Sequence, residues 1–103
     1  MSSVMVTLNA PPALEPRLVD WLLERDGDGG FTSYAAHGHG SRGPLSVAEQ
    51  VSGRQKRVEL RVELPSEDLA ALLGELRARF SGADVYFVVT PVIASGHLRG
   101  DPS

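Results

Sequence analysis

The sequence predicts an α+β domain of the ferredoxin-like type, with the order β-α-β-β-α-β, an antiparallel four-stranded sheet and both helices on one face. Two observations carry this prediction. Residues 57–64 alternate charged and apolar side chains without a break, which is typical of a strand with one buried face. Residues 13–25 and 66–80 place apolar side chains at helical spacing. Shorter strand-like segments lie at residues 4–9, 31–36 and 85–93.

Proline and glycine mark the boundaries in the first half of the chain. The apolar residues at alternate positions of segment 4–8 form one face of the first strand. Pro11 and Pro12 end that strand and open the first helix, because an early proline gives up only an amide that has no helical partner. The glycine-rich residues 26–30 end this helix.

Similar signals mark the second half. Ser66 is expected to cap the second helix, and Glu67 and Asp68 lie where the helix dipole favours acids. Gly82 suits a left-handed conformation at the end of this helix. Pro91 interrupts or bends the last strand, which predicts an edge position or a strand end for it.

Composition predicts a single cytoplasmic domain. The 103 residues suffice for one core, which we place in residues 1–98, with residues 99–103 as a flexible tail. There is no cysteine, so neither disulfides nor thiolate ligands are expected. The net charge of −3, spread along the chain, gives no reason to expect nucleic acid. We see neither a signal peptide nor a membrane-spanning segment, so membrane insertion is not expected.

The connection between the second and third strands is unusually long. It takes in residues 37–55, whereas hairpin loops usually have about 2 to 5 residues, and loops of this length tend to be functional. Residues 38–43 read Gly-His-Gly-Ser-Arg-Gly, a literal G-x-G-x-x-G. Too few residues follow for the crossover helix of a dinucleotide-binding unit. We therefore interpret this motif as a loop base that needs positive φ angles.

These motifs resemble the PII signalling proteins. Residues 38–43 look like the glycine-rich motif that opens the partner-binding T-loop of PII, and the long connection lies at the position of that loop. The whole chain is more closely similar to a bacterial PII-like family of unknown function, whose members tend to be encoded beside heavy-metal cation efflux systems. The shared residues are Pro11-Pro12, segments 38–42 and 45–51, Gly53-Arg54 and Ser95-Gly96-His97-Leu98.

The resemblance implies a trimeric, non-enzymatic regulatory module in metal homeostasis. Its ligand, a metal ion or an anion or nucleotide, is expected in a cleft between subunits, and a protein partner on the long loop. The gene neighbourhood suggests a membrane efflux protein as that partner. The partner-binding residues implied in this way are Pro44, Leu45, Val47 and Glu49.

The resemblance also implies a ligand site at the base of the loop and in the C-terminal segment. Its expected residues are Gly38, Gly40, Arg42, Arg54, Lys56 and Gly96. ATP or ADP is less expected than a smaller ligand, because residues 81–85 lack the phosphate-binding lysine of PII and contain Asp84 instead.

Three alternatives stay open. His37, His39 and His97 are all the histidines of the chain, and a metal-binding accessory protein would use them as ligands, with Glu49 or Asp84 as a carboxylate. They are equally interpreted as unrelated surface residues, because H-x-H is a weak signal. A small cofactor-free enzyme on this fold is the third alternative, and it requires an enclosed, mainly apolar pocket.

The charged face of the third strand has two interpretations. Arg57, Glu59, Arg61 and Glu63 form either a solvated surface or a set of ion pairs across strands or subunits. We favour the solvated surface, because exposed ion pairs stabilise a fold little.

Overall fold

The computed structural model describes residues 2–25, 30–40 and 54–99. Four strands and two helices follow one another in the predicted order, which is confirmed. They are β1 (Ser3–Ala10), α1 (Glu15–Arg25), β2 (Thr32–Gly38), β3 (Gln55–Pro65), α2 (Leu69–Phe80) and β4 (Tyr86–Val92).

The four strands form one antiparallel sheet in the order β2-β3-β1-β4. β1 lies between β3 and β4, and its Leu8 stands opposite Leu60 and Phe87. β2 pairs with β3, so β2 and β4 are the edges of this sheet. This topology is the ferredoxin-like arrangement that the sequence predicts.

One face of the sheet carries the core. The alternating apolar residues of β1 and β3 point to this helix face, and both helices cover it with their own apolar stripes. Neither α1 nor α2 lies on the opposite face, which we call the open face. The buried apolar residues are Val6, Leu8, Ala10, Leu18, Trp21, Leu22, Val58, Leu60, Val62, Leu64, Leu72, Leu76 and Phe80.

Each helix begins with a single 3-10 turn that follows a proline. These turns comprise Pro12–Leu14 and Ser66–Asp68. The prediction that Ser66 caps α2 is wrong, because Pro65 takes the position before the turn and no side chain caps it. Ser66 instead ties the turn to the start of β1. Its amide donates to the Ser2 carbonyl at 3.1 Å, and its hydroxyl accepts from the Ser2 hydroxyl at 2.8 Å.

Two other boundary predictions are confirmed and one shifts. Gly82 has a φ of 82°, the left-handed conformation expected after α2. Pro91 lies in β4, an edge strand, where its missing amide is tolerated. β2 continues to Gly38, two residues past its predicted end, so the long connection comprises residues 39–54. Among the described residues, no helix is long and apolar enough to cross a membrane.

A truncation at the centre of the core tests the predicted face. Leu60→Ala removes a fully buried side chain from β3, and we expect the free energy of unfolding to fall by about 3 kcal/mol in urea denaturation. Leu23→Ala on α1 is the matched control, because Leu23 is 58 % exposed, and its effect should stay below about 0.5 kcal/mol. Equal losses in the two variants would contradict the assignment of the core to this face.

Candidate ligand-binding site

A cleft of 260 Å³ lies at the base of the long connection. It is formed where β2 ends, where β3 begins and where the chain enters α1. Its walls are Pro12, Glu15, Ala35, Ala36, His37, Lys56, Arg57 and Val58. This cleft is a candidate binding site because it adjoins residues 39–54, the long connection between β2 and β3.

The register of β2 and β3 determines the chemistry of the cleft. His37 stands directly opposite Lys56, and Ala35 stands opposite Val58, so all four side chains are on the helix face. Both His37 and Lys56 are exposed at the rim, while Val58 is buried below them. Glu15, in the first turn of α1, supplies a carboxylate. The arrangement places two basic side chains and one carboxylate around an apolar floor, which suits a small ligand that carries an anionic group.

Arg57 lies on the other face of β3 and is almost completely buried, with 2 % of its surface exposed. It comes just before Val58, the residue at which pairing with β1 ends. Its Nε donates to Asn9 Oδ1 at 2.6 Å, and one terminal nitrogen donates to Asp84 Oδ2 at 2.8 Å. The other donates to the carbonyls of Asn9 and Asp84 at 3.2 and 3.3 Å. The guanidinium thus joins β3 to the segment that precedes β4.

The hydrogen bonds continue from Arg57 across the open face to β2. Asn9 donates from Nδ2 to Glu59 Oε2 at 2.8 Å, and the Tyr34 hydroxyl donates to Glu59 Oε1 at 2.6 Å. The pKa of Tyr34 is raised, first because its proton is held by the Glu59 carboxylate and then by burial. Five polar side chains therefore form one continuous network, which we call the open-face network. Its members are Tyr34, Glu59, Asn9, Arg57 and Asp84.

This network corrects the interpretation of the charged face of β3 as solvated. That interpretation is wrong for Arg57, which is buried, and Glu59 is partly buried as well. It holds for Arg61, which is exposed. The partners of Arg57 lie 48 and 27 residues away in the sequence, so no local pattern indicates them.

The predicted ligand residues divide into two groups. Gly38 and Gly40 lie at the loop base as expected. A side chain on Gly38 would meet Arg57 Cγ at 3.4 Å, and Gly40 has a φ of 95°. Arg54 and Lys56 stand at the start of β3, beside the same loop base.

Gly96 lies apart from these residues. It follows the end of β4, where Val92 pairs with Ser3, at the opposite end of the sheet. Within one copy of the chain, Gly96 does not join the loop base. The remaining predicted site residues, Arg42, Pro44, Leu45, Val47 and Glu49, lie outside the described residues.

The predicted metal ligands do not come together within one copy. His37 is in β2 and His39 follows it, whereas His97 follows β4 at the opposite end of the sheet. No group of three potential ligands forms among the residues the structure describes. Asp84, considered as a carboxylate ligand, is paired with Arg57 instead.

A larger groove, of 540 Å³, lies elsewhere, between the two helices. At its base the Trp21 indole donates to Glu75 Oε1 at 3.1 Å, and Arg25 Nε lies 3.2 Å from Glu75 Oε2. The indole hydrogen bond lowers the pKa of Glu75, and the Arg25 charge adds to the effect. The groove lies near the far end of β3, beside Leu64. Its other walls are Glu24, Asp68 and Arg79, so it is not the apolar pocket that the enzyme alternative requires.

Comparison with known proteins places this fold among the PII-like proteins. CPII from Thiomonas intermedia K12, a nitrogen regulatory PII-like protein solved with ADP, AMP and bicarbonate, superposes with a TM-score of 0.67 at 19 % identity. The match covers 89 % of this chain and 91 % of that one. A PII-like signaling protein from Thermus thermophilus gives a TM-score of 0.63 at 29 % identity, with 89 % and 88 % covered.

Within that superfamily, the chain belongs to the DUF3240 family of proteins of unknown function, whose family description matches residues 1–99. A DUF3240 protein from Shewanella baltica OS155 has a TM-score of 0.77 at 19 % identity, and the match covers 95 % of this chain and 98 % of that one. No curated protein matches the chain. The resemblance to a PII-like family of unknown function is therefore confirmed.

The contribution of the Arg57 guanidinium to the free energy of unfolding can be measured. Arg57→Ala removes all four hydrogen bonds of a buried cation, and we expect the free energy of unfolding to fall by about 3 kcal/mol. Arg61→Ala, on the same face of the same strand but exposed, should cost less than about 0.5 kcal/mol. Urea denaturation of both variants measures the difference, and a loss at Arg61 as large as that at Arg57 would argue against the network.

The helix groove gives a pH-dependent prediction. Because the pKa of Glu75 is lower in the folded chain than its ordinary value of 4.5, its ionised form stabilises the fold above that pH. This contribution is lost as the pH falls through the folded pKa. Glu75→Gln should therefore make unfolding less sensitive to acid below about pH 4.5, as followed by the emission of Trp21, the single tryptophan. Identical acid unfolding curves for the variant and the parent would refute this role.

Proposed function

We propose that this protein is a non-enzymatic, PII-like regulatory module that binds a small oxyanion at the base of its long connection and a protein partner through residues 39–54. The observation that carries the proposal is the cleft in which His37 and Lys56 face each other beside that connection. A ligand bound there touches the ends of β2 and β3 together. Its presence is therefore communicated directly to the connection between them.

The charges around the cleft favour a small oxyanion over a nucleotide. A nucleotide needs several cations or amides converging on its phosphates. The segment before β4 offers Asp84 and no lysine, and Arg57 is already held by Asn9 and Asp84. CPII was solved with bicarbonate as well as with ADP and AMP, which supports a small oxyanion as a ligand class for this fold.

A trimer is part of the proposal, because the open face leaves apolar surface without a cover in a single chain. Tyr86 and Val88 are exposed on β4, and Tyr34 is exposed on β2. Ile93 and Leu98 of the C-terminal segment are fully exposed. Apolar surface of this kind on a small domain commonly marks an interface. Packing the open faces of several copies together covers it, as the resemblance to PII implies.

A metal-binding accessory role is the second candidate, and it requires more than one copy. His37 and His39 are near the cleft, while His97 is at the far end of the sheet, so all three meet only between neighbouring subunits. The link to efflux and a membrane efflux protein as partner rest on the resemblance alone and stay predictions.

Native mass spectrometry tests the assembly and the ligand together. We expect a trimer that retains bicarbonate or phosphate more readily than ATP or ADP, since the site has few cations. Lys56→Ala should weaken retention at least about tenfold through the lost charge-assisted contact. Arg77→Ala, at an exposed position of α2 that does not line the cleft, changes the net charge equally and should leave retention unchanged.

Other outcomes of this experiment are equally informative. A monomer that binds none of these anions would refute the proposal. Zinc uptake by the trimer that disappears in His97→Ala would favour the metal-binding role instead. ATP binding stronger than phosphate binding would contradict the assignment of a small oxyanion.

A further inference from the structure

The groove between α1 and α2, the helix groove, has the size of a small-molecule site. Its volume of 540 Å³ falls within the range of about 300 to 1,000 Å³ that is usual for ligand pockets. A second cavity of 350 Å³ adjoins it, and Trp21, Glu24 and Arg79 line both. The two helices cover the side of the sheet opposite the open face. An assembly through the open faces therefore leaves the helix groove accessible.

Arg25 gives the helix groove a cation with unused hydrogen-bonding capacity. Its side chain is 17 % exposed, and its Nε lies 3.2 Å from Glu75 Oε2. That contact is poorly aligned for a hydrogen bond, so the buried Nε has no acceptor among the described residues. Neither terminal nitrogen donates a hydrogen bond to any residue in the described ranges. The terminal nitrogens of a guanidinium form a planar fork, which matches a carboxylate.

Asp68 supplies the opposite charge in the same groove. It lies at the start of α2, where its exposed side chain makes no capping hydrogen bond. Within the described part of the chain, no salt bridge joins it to a cation. Glu24, in contrast, pairs with Arg79 at 3.5 Å, and Glu75 accepts from the Trp21 indole. The Asp68 carboxylate is therefore available to a positively charged group of a ligand.

We propose that the helix groove binds a free amino acid, whose carboxylate pairs with the terminal nitrogens of Arg25 and whose ammonium group pairs with Asp68. A ligand with both charges satisfies the two side chains at once. A simple anion would be repelled by Asp68, and a simple cation would be repelled by Arg25. The helix groove is separate from the cleft of His37 and Lys56, so this site goes beyond the proposed function.

The helix groove also has room for the side chain of the ligand. Trp21 and Leu64 are 2 % and 5 % exposed and give the groove an apolar base. Glu24 and Arg79 line both the groove and the adjoining cavity, and their side chains are 66 % and 54 % exposed. A pair this exposed is weak, so it can open for a longer side chain. The two charges of the ligand are thus recognised more strictly than its side chain.

The emission of Trp21 tests this proposal, because the single tryptophan of the chain lines the helix groove. The full chain is titrated with each non-aromatic L-amino acid in turn, and with 4-aminobutanoate, whose two charges are further apart. At least one of them should change the emission in a saturable manner and raise the Tm. Saturation by none of them would overturn the proposal.

Analogues of the ligand test whether both charges are needed. For the amino acid with the largest effect, the matching carboxylic acid lacks the ammonium group, and the matching amine lacks the carboxylate. Each analogue should bind at least about tenfold more weakly than the amino acid. An analogue that binds as tightly as the amino acid would overturn the proposal.

Two conservative variants assign the contacts. Asp68→Asn removes the charge and keeps the shape, whereas Arg25→Lys keeps a cation beside Glu75 and removes the fork. Each should weaken amino-acid binding at least about tenfold. The matched controls are Glu67→Gln, in the same turn as Asp68, and Arg77→Lys, on α2. Both are exposed positions outside the helix groove and should leave binding unchanged. Undiminished binding in Asp68→Asn and Arg25→Lys would overturn the assignment.

A further variant separates this site from the proposed function. Lys56→Ala removes a wall of the cleft at the base of the long connection and should leave amino-acid binding unchanged. A loss of amino-acid binding in Lys56→Ala that Asp68→Asn does not share would place the ligand in the cleft and overturn the proposal. Because the helix groove lies within one chain, a monomer that retains no oxyanion should still bind the amino acid.

Discussion

A cation buried to 2 % exposure has to keep its hydrogen bonds, and Arg57 keeps four of them, to Asn9 and Asp84. Asn9 then holds Glu59, which holds Tyr34, so one guanidinium organises contacts that reach from β2 to the start of β4. The helix face is stabilised by the burial of apolar side chains and does not depend on such a hydrogen-bond network. Neither α1 nor α2 covers the open face, and directed polar bonds define its surface instead.

The fold could be predicted from the sequence because the patterns that indicate it lie within single strands and helices. Strict alternation in β3 defined a strand with one buried face, and Val58, Leu60, Val62 and Leu64 are buried as that alternation requires. The helices also followed from spacing alone. The predicted Ser66 cap failed because Pro65 already fixes the backbone before the turn, and sequence spacing cannot decide between the two.

The candidate site could be predicted only in part from the sequence, because residues that are far apart along the chain come together only in the fold. Gly38 and Gly40 were predicted from a glycine-rich motif whose residues are close along the chain, and Lys56 was predicted from its place beside the same loop. The sequence did not predict that Asn9 and Asp84 bind Arg57. Each is an ordinary polar residue near a strand end, and only the folded sheet brings it close to Arg57. Conversely, the sequence suggested His97 and His37 as ligands of one metal ion, but the sheet places them at opposite ends.

The register between β1 and β3 constrains how this family can vary in length. Inserting one residue into the middle of β3 would turn the side chains of half the strand over, carrying charges into the core and apolar residues onto the open face. Residues added between Gly38 and Gln55 leave every strand pair as it is. Insertions and deletions among relatives should therefore accumulate in that connection, so that its length differs from member to member on an unchanged scaffold.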